Sequence, residues 1–206
     1  MISGVQNNII PVLNGLVLAG GKSMRMGHDK GAIAWHGKPQ RYYMADLLQQ
    51  LCTDVFISCR AEQQDEIDKN YRVLPDSFKA AGPLAGILSA ITAHPDRAWL
   101  VTACDLPLLD SATLQYLIDN RETSAIATTY KSPFDGLPEP LITIWEPSAH
   151  PVLLSFLEEG FSCPRKALIR NADRVHIIDP RDPDALMNTN TPEDAAQVNN
   201  ILKQRN

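Results

Sequence analysis

No stretch of eighteen apolar residues occurs anywhere in the 206-residue chain, so no transmembrane helix is expected. An excess of basic charge is missing too: 19 Lys and Arg stand against 24 Asp and Glu, for a net charge of −5. That balance argues against non-specific nucleic-acid binding and against a membrane-surface role. Cysteine is sparse. Cys52, Cys59, Cys104 and Cys163 lie far apart and form no C-x-x-C, which speaks against a zinc site and favours buried, reduced thiols over disulfides. The five histidines make no pair at helical spacing and no H-E-x-x-H, so each is expected to be structural or exposed. Residues 1–11 lack a basic start followed by a long apolar block, so no signal peptide is expected and the cytoplasm is the expected compartment. No Ser or Cys has an evident His and carboxylate partner in the sequence, and there is no internal repeat or low-complexity tract.

What is present begins with Leu16-Val17-Leu18-Ala19, an apolar run that reads as a buried strand. Gly20 and Gly21 follow, then the cations Lys22, Arg25 and Lys30, with Gly27 between the last two. Glycines let backbone approach a ligand closely. Their bared N–H groups can cradle phosphate oxygens, and the cations can neutralise them. The stretch therefore reads as a triphosphate-binding loop after the first strand of an α/β domain. It is not a P-loop, because the required first Gly would fall at Leu16. It also fails the dinucleotide fingerprint, having Ser23 where the spacing needs Gly, which weakens any nicotinamide-dependent reading. The competing reading of the same residues is a tight basic surface turn.

Hydrophobic residues make up 44% of the chain, enough for a substantial core. The length favours one domain over 1–206, with a loose polar lead at 1–11. The first strand is expected over 12–19. A helix carrying Met44, Leu47, Leu48 and Leu51 at i, i+3, i+4, i+7 spacing follows the turn at Gly37-Lys38-Pro39. Val55 to Cys59 is a second strand, 62–69 a short exposed helix, and Tyr71 to Leu74 a third strand stopped by Pro75. Pro83 opens a helix with Leu84, Ile87, Leu88 and Ile91 on one face. Trp99 to Ala103 is continuously apolar but for Thr102, as expected of a central strand covered on both sides. Ser111 is expected to cap the next helix, with Leu114, Leu117 and Ile118. The order βαβαβαβα implies a parallel sheet with helices on both faces. Beyond it, Ala125 to Tyr130 and Leu141 to Trp145 read as strands. The proline-rich 132–140 between them reads as a loop or lid. A helix over 151–159 closed by Gly160, a strand over 174–178 and a last helix complete the chain. Thr191 and Asp194 approximate a capping box for that helix, with Pro192 at its first position.

In such a sheet ligands sit at the carboxyl ends of the strands. The opening loop, Asp76 and Asp105 all follow strands and should converge there. Asp105 ends an apolar strand, where an uncompensated carboxylate is costly. Beside a triphosphate loop it reads as a magnesium ligand, and otherwise as a cap for the Leu106-Pro107 corner. Asp76 reads equally as a ligand-positioning carboxylate or as an Asx-turn before Ser77. Asn188 and Asn190 either supply a neutral ligand group or shape the turn before the last helix. Cys104, at a strand end, reads as core rather than as a nucleophile. The lack of an evident base suits a reaction whose nucleophile is a phosphate, already anionic at neutral pH. Catalysis then needs only alignment and charge neutralisation.

Leu18-Ala19-Gly20-Gly21-Lys22-Ser23-Met24-Arg25-Met26-Gly27-His28-Asp29-Lys30 resembles the signature of the molybdenum cofactor guanylyltransferases, within the wider nucleotidyltransferase group. Gly82-Pro83-Leu84-Ala85-Gly86, Cys104-Asp105-Leu106-Pro107 and Asn190-Thr191-Pro192-Glu193 look like that family's later motifs, in the same order. The resemblance implies an α/β class, a three-layer α/β/α nucleotidyltransferase fold with a mostly parallel central sheet. It implies a nucleotide-binding half at 12–120 and an acceptor-substrate half at 121–206. It implies magnesium, GTP and molybdopterin or molybdenum-molybdopterin as ligands, and other molybdenum cofactor biosynthesis or acceptor proteins as partners. Carried over by position, Leu18, Ala19, Gly20, Gly21, Lys22, Lys30, Ser58, Asp76, Asp105 and Asn190 would bind the nucleotide. Lys30, Arg25 and Asp105 would be catalytic, and Asp105 would hold magnesium. Ser58 lies where a relative can carry Asn for nucleotide contact. Residues 161–166 depart from the Gly-x-Arg-Arg type of stretch on the pterin side, although Arg165 and Lys166 could meet an anionic pterin phosphate. The double glycine favours guanine over the cytidine-using relatives. The alternatives are a nucleotidyltransferase using CTP or another phosphorylated acceptor, and a non-catalytic nucleotide-binding module.

Overall fold

The computed structural model describes residues 10–19, 30–78 and 82–205. The expectations for most of the N-terminal lead and for Gly20, Gly21, Lys22 and Arg25 fall outside the described residues, as does the side chain of Lys30.

Seven strands form one sheet: β1 (Leu13–Leu18), β2 (Val55–Cys59), β3 (Arg72–Pro75), β4 (Ala98–Ala103), β5 (Ala127–Lys131), β6 (Pro138–Trp145) and β7 (Val175–Ile178). Their order across the sheet is β3-β2-β1-β4-β6-β5-β7. The first four are mutually parallel, as the βα alternation requires, and β7 runs parallel to β5. β6 is antiparallel to both neighbours and joins the two halves of the chain by inserting between β4 and β5. The sheet is thus mixed but mostly parallel.

Both faces are covered, which explains why β1 and β4 are apolar at consecutive positions instead of alternating. On one face Val17, Ile57 and Leu100 pack with Met44, Leu47 and Leu48 of α1 (Gln40–Gln49) and with Leu114 and Leu117 of α3 (Ser111–Asp119). On the other, Leu16, Leu18, Trp99 and Val101 meet α2 (Pro83–Ala93), α4 (His150–Glu158) and α5 (Pro164–Arg170). The fold is the three-layer α/β/α arrangement expected. The last helix, α6 (Pro192–Arg205), lays Val198 against Leu108 and Met187 in a small satellite core beside Trp35. Its start is the anticipated capping box: the Asp194 carboxylate accepts from the Thr191 N–H at 2.9 Å, and the Asp194 N–H donates to Thr191 Oγ1 at 3.1 Å.

Several local expectations are corrected. Asp110, not Ser111, caps α3, its carboxylate accepting from the Thr113 N–H at 2.8 Å. Both residue types cap well, and Ser111 lies one position inside the helix. The connection between β2 and β3 is a 3-10 turn at Ala61–Glu66. Pro75 is the last residue of β3, which the sheet tolerates because β3 is an edge strand. Pro138-Glu139-Pro140 belongs to β6 and not to a loop, since its prolines sit beside a register shift between Thr129 and Lys131. The Glu139 carbonyl there is taken up by the hydroxyls of Thr129 at 2.6 Å and Thr143 at 2.5 Å. The helix α5 was not expected at all. Of the four free cysteines Cys59 and Cys104 are buried and Cys52 is half-buried, but Cys163 is exposed, because it precedes the first turn of α5 on the surface.

Candidate active site

The carboxyl ends of β3, β2, β1 and β4 lie side by side. Leu18 at the tip of β1 is in register with Ser58 on one side and with Ala103 on the other. The Ala19 N–H donates to the Ser58 carbonyl at 3.0 Å, and the Asp76 N–H to the Cys59 carbonyl at 2.9 Å, so both strand exits are pinned to β2. Leu18, Ala19, Ser58, Asp76 and Asp105 therefore share one rim of the sheet, as their positions after strands required. Ala19 at this rim leads into residues 20–29, and the described chain resumes at a 3-10 turn, Lys30–Ala32. The guanidinium of buried Arg41 lies against that turn: a Cβ at Gly31 would stand 3.1 Å from Arg41 Nε. Arg41 also acts electrostatically on the Cys59 thiol, so a buried cation stands between the Lys30–Ala32 turn and the tip of β2.

Asp76 is half-buried, and its Oδ1 accepts the hydroxyl of Ser58 at 2.8 Å. Burial pushes its carboxyl above the ordinary range, while the Ser58 hydrogen bond and the charge of Arg60 pull it back and Glu62 pushes it further up. The next residue is tied to α2, with the Ser77 N–H donating to Ser89 Oγ at 2.8 Å. Asp105 follows β4 by two residues and is held at its backbone. Its carbonyl accepts from the Thr189 N–H at 2.9 Å and, more weakly, from Thr189 Oγ1 at 3.4 Å. The Asn188–Asn190 stretch is thereby brought to the rim, although Asn190 itself also donates its N–H to Asp194 at 2.9 Å in the start of α6. On the other side of the corner, His36 Nε2 donates to the Pro107 carbonyl at 2.8 Å, its ring stacked on Tyr43 with centroids 3.8 Å apart. Gln40 Nε2 reaches the Leu106 carbonyl at 3.4 Å.

Thr189, His36, Gln40 and Arg41 were not singled out from the sequence. None carries a motif of its own, and each acts on a residue many positions away. Among the described residues no group of three or more His, Cys, Asp or Glu could hold a metal ion. Asp105 instead offers one carboxylate at a strand tip, which suits a hard cation that takes its remaining ligands from phosphate oxygens and water.

The second half of the chain contributes a further feature to the same end of the sheet. Because β6 is antiparallel to β4, its first residues lie beside the last residues of β4. There Arg165 of α5 bonds Asp135 at 2.7 Å and Glu139 at 3.1 Å, fastening α5 to the 132–137 turn.

Residues 15–175 match the MobA-like NTP transferase domain family. The chain is 38% identical to a molybdenum cofactor biosynthesis bifunctional protein of Synechocystis over 91% of its own length, but spans only 54% of that relative. It is 30% identical to a molybdenum cofactor guanylyltransferase of Pseudomonas fluorescens, covering 95% of this chain and 98% of the relative. In structure it resembles molybdopterin-guanine dinucleotide biosynthesis protein A of Archaeoglobus fulgidus, with a TM-score of 0.76 at 23% identity over 93% of this chain and 99% of that one. On sequence and fold together, the chain belongs to the MobA-like NTP transferase domain family of nucleotidyltransferases.

Proposed function

We propose that this chain transfers GMP from GTP to the terminal phosphate of molybdopterin, with or without its molybdenum, forming the guanine dinucleotide form of the cofactor. The observation that carries the reading is the shared rim: Leu18, Ala19, Asp76 and Asp105 lie at the end of the sheet from which the sequence runs on into the glycine- and cation-rich segment 20–30. The names of the relatives support the guanine and molybdenum cofactor assignments.

In this reading an oxygen of the acceptor phosphate attacks the α-phosphorus of GTP. The bond from that phosphorus to the bridging oxygen of the β-phosphate breaks, and pyrophosphate leaves with the electron pair. The nucleophile is already anionic, so the chain needs no base. Backbone at Leu18, Ala19, Gly20 and Gly21 approaches the nucleotide. Lys22, Arg25 and Lys30 offset the charge of the phosphates, and Asp76 and Asn190 orient the ligand. Asp105 would hold magnesium, which supplies charge neutralisation on the leaving pyrophosphate when bound. Thr189, His36 and Gln40 keep the Asp105 corner in place through its backbone.

The test is to incubate the purified chain with molybdopterin, magnesium and each of GTP, CTP, ATP and UTP, reading pyrophosphate release and the dinucleotide product. GTP should be used in preference. Preference for CTP or ATP removes the guanine assignment, and pyrophosphate release with a sugar phosphate but not with molybdopterin removes the acceptor.

A further inference from the structure

Ser58 sits where a nucleotide contact is expected, yet its surroundings give it another task. The residue is 2% exposed, and its hydroxyl hydrogen is directed to Asp76 Oδ1 at 2.8 Å. The far side of the same hydroxyl faces α2 at Gly86. A Cβ built on Gly86 would lie 2.4 Å from Ser58 Oγ, 2.9 Å from Leu18 Cδ2 and 3.3 Å from Asp76 Oδ1. No side chain fits at that distance from a hydroxyl. Gly86 therefore allows α2 to press onto the strand tips until Ser58 is boxed between helix and carboxylate. The chain on either side of that carboxylate is fixed too, by the Asp76 N–H to β2 and by Ser77 to Ser89, whose own hydroxyl donates to the Ala85 carbonyl at 2.7 Å.

We propose that Ser58 is a positioning residue that aims Asp76 at the nucleotide without touching it, and that Gly86 is the residue whose missing side chain makes the seat. Oδ1 is occupied by Ser58, and Oδ2 is the oxygen presented to the ligand. The inference rests on the reading of Asp76 as a nucleotide contact.

Titration calorimetry with GTP and magnesium across a pH series tests it, on the full chain and on S58A, D76N, S58A/D76N, G86A and S58A/G86A. S58A should bind GTP about tenfold more weakly, as loss of a hydrogen bond to a charged group implies. Its acid limb should also move to higher pH. The groups acting on Asp76 are Ser58 and Arg60, which favour the carboxylate, and Glu62, which opposes it. Removing the Ser58 bond leaves the carboxyl easier to protonate, so binding fails earlier on acidification. In the D76N background the amide oxygen still accepts the Ser58 hydroxyl but carries no charge, so S58A should cost markedly less than it does in the unaltered protein. G86A should lower the melting temperature, and by less when Ser58 Oγ is absent, without recovery of GTP affinity. Additive losses for S58A and D76N, an unmoved acid limb, or the same thermal cost of G86A with and without the Ser58 hydroxyl would each overturn the proposal. D76N binding GTP as tightly as the unaltered protein would instead remove the reading of Asp76 on which it rests.

Discussion

Replacing Arg121 by Met should destabilise the protein strongly while leaving its chemistry intact. Arg121 follows α3 and forks onto the carboxylate of Glu146, through Nε at 2.6 Å and Nη2 at 2.8 Å. The Glu146 side chain is 1% exposed and that of Arg121 10%, so water cannot take over the role of either. Removing one member of such a pair strands a buried charge, at a cost of about 3–5 kcal/mol. A domain of this size loses roughly 2–4 °C of melting temperature per kcal/mol, so a fall of about 6–20 °C is expected in thermal unfolding. The pair lies next to Trp145, which faces Trp99 near the start of β4, at the opposite end of the strand from Asp105. Pyrophosphate release well below the new midpoint should therefore keep its rate. Arg121→Met combined with Glu146→Leu should recover most of the loss, since an apolar pair of similar volume is neutral or stabilising in such a place. A fall under about 2 °C for the single variant, or no recovery in the double, would refute the assignment of the pair as a desolvated ion pair.

Asp105→Asn should retain GTP affinity and lose pyrophosphate release by a factor on the order of 10², the scale of a lost electrostatic stabiliser; unimpaired turnover would remove Asp105 from metal binding. Asp76 has its folded-state pKa raised, chiefly by burial, so its contribution to stability is present when it is protonated and lost as pH rises through that value. At neutral pH the ionised carboxyl therefore weighs against folding. Asp76→Asn should raise the melting temperature at pH 7 even as GTP binding weakens, and a lower melting temperature would contradict the sign. Burial pushes the Cys52 thiol up to about 12 and the Cys59 thiol up to about 11, whereas Cys163 is exposed. Iodoacetamide at pH 8 should label the native protein at Cys163 alone by mass spectrometry, and prompt labelling of Cys52 or Cys59 would show that the helical layer over β2 opens readily.

The parallel half was legible because its strands are covered on both faces and so appear as near-continuous apolar runs, interrupted only by Ser58 and Thr102: Leu16 to Ala19, Val55 to Cys59 and Trp99 to Ala103 each announce themselves. The candidate carboxylates were legible from their place after strands, Asp105 being the first acidic residue after Trp99 to Ala103 and Asp76 the first after the short strand that Pro75 ends. What joins them was not. The Ser58 hydrogen bond depends on the register of β2 against β3 and on a glycine ten residues after Asp76. The Thr189 bond to Asp105 spans 84 positions. Short range misled in other places. Asp110 and Ser111 are neighbouring cap formers, and periodicity cannot choose between adjacent residues. Prolines at 138 and 140 look like loop until a bulge excuses their missing donors. The seven residues of α5 bury only Pro164, Ala167 and Leu168, too short a pattern to read as a helix.

The antiparallel strand β6 has a consequence for how the protein is made. β4 is buried at every position, and one of its two flanks is closed only by a strand that begins 35 residues after β4 ends. During synthesis the β1–β4 platform can assemble while that flank stays open, offering Trp99, Leu100 and Val101 beside bare backbone donors and acceptors. An unpaired apolar flank of this kind recruits other chains. Release from the ribosome before Trp145 should thus yield aggregates; chains ending shortly after Glu146 should aggregate less, with full resistance only once α4 and α5 cover Trp99 and Val101.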